Sequence, residues 1–187
     1  MAVTTLDPKS ALVIIDMQKG ILGLSTAHPV AEIVENAAAL TGAFRSHGLP
    51  VVLVNVAGRA PGRTEQTGTG GTPPAGWADF VPELNQQPED HTITKLRWGA
   101  FTGTGLHEHL VNLGVTQVVI AGVATSIGVE STARHAHEHG FNVTLAVDAM
   151  TDANADAHAN SITRIFPRLG ETGTTAEIIG LLSDLRP

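Results

Sequence analysis

The stretch QVVIAGVATSIGVESTARHAHEHGFNVTLAVDA, residues 117–149, reads in three parts. QVVIAGV (117–123) is a continuous apolar run, the pattern of a strand covered on both faces. Residues from about 126 to 139 follow as a helix, and Gly140 sits where a glycine ends one. NVTLAVDA (142–149) is a second buried strand. Strand, helix, strand in this order is a βαβ unit, which implies parallel strands with a helix packed across them. The turn between the first strand and the helix raises a chemical question. Many α/β enzymes place a nucleophile there, and this chain has Gly128, a residue with no side chain.

The same alternation extends in both directions. ALVIID (11–16), VVLVNV (51–56) and HTITK (91–95) read as three earlier strands, and a short sixth strand is expected near 173–175. Between them, apolar residues at 30, 33, 34, 37, 40 and 44 mark one face of a helix that Gly48 stops and Pro50 forbids to continue. Further helices are expected around 104–113, 154–166 and 176–185. Residues 57–90 break the pattern, being rich in Gly, Pro, Thr and Gln, and read as a long lid or binding loop. The expected architecture is α/β, with three layers and a six-stranded, mainly parallel sheet between helices. No linker or internal repeat interrupts it, so residues 1–187 are expected to form one domain.

Composition limits the function. The 187 residues are 42% hydrophobic and 16% charged, with a net charge of −7. No basic stripe exists to neutralise phosphates, so neither nucleic acid nor an anionic membrane surface is an expected partner. The chain has no cysteine, which excludes disulfides, thiolate metal sites and thiol catalysis. The segment MAVTTLDPKS lacks a basic region followed by an apolar one, and no stretch approaches the length of a membrane span. A cytoplasmic protein acting on a small molecule is the expectation.

Ligands of open parallel sheets bind beyond the carboxyl ends of the strands, where the strand order reverses. Asp16 ends the first strand, Lys95 ends the third, and Val123-Ala124 ends the fourth just before Thr125, Ser126 and Gly128. Three strand ends thus supply an acid, a base and a helix N-terminus whose free N–H groups favour an anionic group.

These residues carry a resemblance. ALVIIDMQKG, TKLRWGAF and VVIAGVATSIGVESTARHAHEHGFNVTLAVDAM, in this order, resemble the isochorismatase-like hydrolases, also called the cysteine hydrolase superfamily. The resemblance implies an Asp–Lys–Cys triad, with Asp16 as the acid, Lys95 as the base and Gly128 in place of the cysteine. It also implies a cis peptide at Val123–Ala124 and a homo-oligomer. The isochorismatases proper resemble this chain further, through a K-x-R-aromatic-small-A-F block (Lys95, Arg97, Trp98, Gly99, Ala100, Phe101) and an Ile-Gly pair (Ile127, Gly128). Such enzymes cleave an enol ether without a nucleophilic side chain. The acid protonates the vinyl carbon, water adds to the oxocarbenium ion, and the hemiketal collapses to pyruvate and a diol. Gly128 would then leave room for substrate and water. The chain departs from that pattern at Ala124 and Ser126, where the isochorismatases carry Tyr and His.

The candidate catalytic positions are therefore Asp16, Lys95 and Gly128, with Gln18, Arg97, Trp98, Val123, Ala124 and Thr125 as candidate substrate contacts. Gln18 could orient Asp16 or satisfy a loop carbonyl. Thr125 and Ser126 could instead cap the helix, and Trp98 and Phe101 are expected in a core or interface. Burial would raise the Asp16 pKa and Lys95 would lower it, so the residue could act as general acid or general base. His135 and His139 share a helix face without a third ligand, and NVAGRAPGR (55–63) lacks the Asp and His that the resemblance implies for the family's zinc sites. No metal and no cofactor are expected. TGTGG (67–71) and FTGTGLHEH fail as dinucleotide fingerprints. A receiver-type signalling domain would need a second acid beside Asp16, which the following Met17 and Gln18 do not provide. A family member that binds a ligand without turnover, or one that hydrolyses an amide by a non-covalent route, is the standing alternative.

Overall fold

In β1 (Ser10–Ile15) every residue is buried, and alternate side chains feed two separate cores. Ala11, Val13 and Ile15 point to one face and Leu12 and Ile14 to the other. This is the period of two expected of a strand covered on both sides. β2 (Val51–Val56), β3 (His91–Lys95), β4 (Gln117–Val123), β5 (Asn142–Thr151) and β6 (Glu171–Gly173) complete one sheet in the order β3-β2-β1-β4-β5-β6. All pairings are parallel. The computed structural model describes residues 3–65 and 73–185, so the TGTGG piece of the long loop lies outside the described residues.

The helices form the outer layers. α2 (Val30–Ser46) buries Ile33, Val34, Ala37, Leu40 and Phe44, the expected stripe, and shares its core with Ile178 and Leu182 of α6 (Thr175–Asp184). α3 (Leu106–Asn112) and α4 (Glu130–Glu138) cover the opposite face through Leu106, Leu110, Ala133 and Ala136. Among the described residues, no helix is long and apolar enough to cross a membrane.

Three elements differ from the expectation. β6 lies at 171–173 rather than 173–175, because Thr174 forms a capping box with Glu177 and starts α6 at once. The helix expected at 154–166 is α-helical only in α5 (Ala155–Asn160), then widens into a π-helical turn over Ser161–Ile165. It ends in a 3₁₀ turn containing Pro167, which has no N–H to continue an α-helix. A one-turn helix, α1 (Lys19–Leu22), was not expected; four residues are too short to show a period.

Candidate active site

The strand order reverses between β1 and β4, and the site is built at that crevice. The two strands approach so closely at their carboxyl ends that Gly122, at φ +128°, has no room for a side chain. A Cβ there would stand 2.0 Å from the Ile15 carbonyl oxygen. β1 then turns at Asp16, whose φ of 52° lies in the left-handed region that aspartate tolerates better than most residues. The turn brings the Asp16 carboxylate over the crevice.

Lys95, from the end of β3, reaches across the end of β2 to this carboxylate. Its Nζ donates to Asp16 Oδ2 at 2.7 Å, and both side chains are buried. The second carboxylate oxygen, Oδ1, is buried with no hydrogen-bond partner among the described residues. Burial raises the Asp16 pKa from 3.8 to about 6, and the Lys95 ammonium opposes that rise without cancelling it.

Gly128 faces the same carboxylate. A Cβ on it would lie 2.9 Å from Ile15 Cγ2 and 3.2 Å from Asp16 Oδ2. A side chain at this position would therefore press on both Ile15 and Asp16. The missing side chain lets the carboxylate come close to the backbone of the turn.

That turn follows a cis peptide at Val123–Ala124. It is a π-helical turn over Thr125–Val129, with Val129 N donating to the Ala124 carbonyl at 3.2 Å, and it leads into α4. Neither Thr125 nor Ser126 caps the helix through its side chain. Thr125 Oγ1 instead meets His158 Nδ1 at 2.8 Å, and Ser126 donates through both N and Oγ to Asp152 Oδ2 at 2.8 Å. His158 and Asp152 went unread in the sequence. β5 extends two residues past the expected end at 149, which puts Thr151 and Asp152 on the carboxyl edge. An acid just past a strand end was the available signal.

Gln18 lies apart from the Asp16 carboxylate in its bonding. Its amide accepts from Val56 N at 2.7 Å and donates to Val56 O at 3.1 Å and Trp77 O at 3.3 Å. It ties the loop after β1 to the end of β2. Arg97 is exposed and has no ion pair with the described residues. Trp98 is 58% exposed, so it is not a core residue, whereas Phe101 is buried. Leu96 and Ile127 are exposed on the same edge.

The histidines of α4 are not all solvated. His135 is packed on Gly99, where a Cβ would come within 2.6 Å of its Nδ1. His139 stacks on His107 with ring centres 4.3 Å apart, and His137 is exposed. Among the described residues, no three His, Asp or Glu side chains are grouped to hold a metal ion. A cavity of about 550 Å³ lined by Arg45, Leu49, His91 and His109 opens at the amino ends of β2 and β3, the edge opposite Asp16.

Comparison with known proteins identifies the family. Residues 10–177 match the isochorismatase domain. The chain is 41% identical to the isochorismatase family protein YwoC of Bacillus subtilis over 178 residues, 91% of this chain and 93% of that protein. It is 28% identical over 187 residues to a probable isochorismatase of Pseudomonas chlororaphis, covering 96% of this chain and 89% of that one. The structure of an isochorismatase family protein from Burkholderia thailandensis superimposes with a TM-score of 0.93 at 39% identity, over 97% of this chain and all of that one (100%). A buried acid–lysine pair at the β1/β4 crevice, on a fold shared along nearly the whole chain, makes this protein a member of the isochorismatase family of hydrolases.

Proposed function

We propose that the protein hydrolyses a small enol ether by acid–base chemistry, with no covalent intermediate. The observation that carries this reading is Oδ1 of Asp16, buried and unpartnered while Lys95 holds Oδ2. A carboxyl group raised to about 6 holds a proton in a useful fraction of molecules near neutral pH. Asp16 delivers that proton to the vinyl carbon, and the ether oxygen takes up the positive charge as an oxocarbenium ion. Water adds to the cationic carbon and returns a proton to the Asp16 carboxylate. The resulting hemiketal breaks its C–O bond to release a ketone and an alcohol. Lys95 holds the carboxylate in place and limits how far its pKa climbs. No step requires a side chain at Gly128, which fits a chain without cysteine.

Arg97 and Trp98, exposed beside Lys95, and the backbone of Val123, Ala124 and Thr125 are the proposed substrate contacts, with Gln18 acting through the loop it ties down. The exposed apolar edge of Leu96, Trp98 and Ile127 supports a homo-oligomer. The test is a hydrolysis screen of enol ethers and small amides with wild type and Asp16→Asn in parallel. Turnover of an enol ether by wild type and its loss in the variant is the expected result. Equal rates in both proteins would remove Asp16 from the chemistry. Ligand binding without any turnover would make the protein a silent binder.

A further inference from the structure

A second polar station lies on the same edge, at the end of β5. β5 is two strands from β1, or about 10 Å at the usual strand spacing. There His158, from α5, and His28, from the loop before α2, stand with ring centres 4.5 Å apart and planes inclined by 54°. Each ring is tethered through Nδ1 to a threonine hydroxyl, His158 to Thr125 at 2.8 Å and His28 to Thr151 at 3.0 Å. The loop carrying His28 is held down as well, by Ala27 N donating to the Asp152 carbonyl at 2.8 Å.

The tethers determine which nitrogen carries the proton. Thr125 and Thr151 are fully buried, and neither hydroxyl has another partner among the described residues. A buried hydroxyl gives its proton to an available acceptor, and the imidazole Nδ1 is the one in reach. Nδ1 therefore accepts, which makes each neutral ring an Nε2–H tautomer. Neither Nε2 has a hydrogen-bond partner among the described residues, and neither is a buried orphan atom. Burial first, and the neighbouring His28 second, lower the His158 pKa, with Asp152 opposing, so this ring is neutral at pH 7.5.

We infer that His28 and His158 form a recognition site for a carboxylate, which accepts one N–H from each ring. Two ring N–H donors on rings whose centres are 4.5 Å apart match the two oxygens of such a group. Among the described residues, no third His, Asp or Glu joins them to hold a metal ion. This inference does not depend on the chemistry proposed for Asp16.

Acetate is the probe, followed at pH 7.5 by long-range ¹H–¹⁵N NMR of the histidine rings. Both rings are expected to show the Nε2–H pattern and saturable Nε2 shifts as acetate is added. His158→Phe should weaken acetate at least tenfold. Thr125→Val, which keeps shape and removes only the hydroxyl that sets the tautomer, should weaken it several-fold. Asp16→Asn should leave the response intact, which separates this site from the Asp16–Lys95 pair. An Nδ1–H pattern in wild type would overturn the proposal. So would the absence of an acetate shift, or a shift that survives His158→Phe or vanishes in Asp16→Asn.

Discussion

Lys95 and Asp16 meet although their strands are not neighbours. β2 lies between β3 and β1, and the lysine stem crosses its end to place Nζ 2.7 Å from Oδ2. A long aliphatic side chain is required for that span, and its methylenes are buried along the way. The pair leaves one carboxylate oxygen bound and the other buried without a partner among the described residues, and this division underlies the expected behaviour of the site.

Replacing Asp16 with Asn keeps the shape and removes the transferable proton. Turnover of any substrate found should fall by about 10²–10⁴, the usual worth of a positioned acid or base. The variant also leaves the buried Lys95 without its counter-charge, so its melting temperature should drop while its circular dichroism spectrum stays native. Steady-state kinetics and thermal melts check the two effects separately.

The pH dependence has a definite sign. The enol-ether route uses the protonated carboxyl group, whose pKa is about 6. The active form is present below that value and is lost as pH rises through it. A plot of kcat/KM should therefore be flat on the acid side and fall about tenfold per pH unit above pH 6. A rate that climbs through the same region would assign Asp16 as a base toward water.

Gly128→Ala should disturb the acid itself. The new methyl group would press on Ile15 Cγ2 at 2.9 Å and on Oδ2 at 3.2 Å, so Ile15, the carboxylate or the turn must shift. Overpacking of this kind costs about 1–3 kcal/mol, and the break in the kcat/KM profile should move with it. Gly128→Cys adds a larger atom in the same space and should give no gain in amide hydrolysis over wild type. Denaturant melts and the pH profile test both variants.

Gly122→Ala should be the more damaging exchange. Its Cβ would meet backbone, the Ile15 carbonyl at 2.0 Å, and its φ of +128° is unsuited to any L side chain. Yield of soluble protein and the unfolding midpoint should fall well below those of Gly128→Ala.

The sheet was legible because its strands are covered on both faces and read as unbroken apolar runs. ALVIID and QVVIAGV could be little else, and the polar residues closing such runs located Asp16 and Lys95 on one edge. What the sequence withheld depends on register and on distant partners. The last two residues of β5 were missed, and with them Asp152 and the tether from Thr125 to His158. Gln18 was visible as polar, but its two bonds to Val56 arise only once β1 and β2 are aligned. The space beside Gly128 is set by Ile15, more than a hundred positions earlier in the chain.

The turn after the cis peptide has a further consequence, one of chain length. A π-helical turn accommodates one residue more than the α-helix it continues into. Deleting a single residue between 125 and 129 would let the segment close as ordinary α-helix while leaving almost every side chain type in place. Residues upstream of the cut would then be rotated by about 100° relative to α4, one residue's share of a helical turn. Thr125 and Ser126 would lose alignment with His158 and Asp152. Spacing is thus part of the specification of this edge, and a substitution scan that preserves length would never detect it.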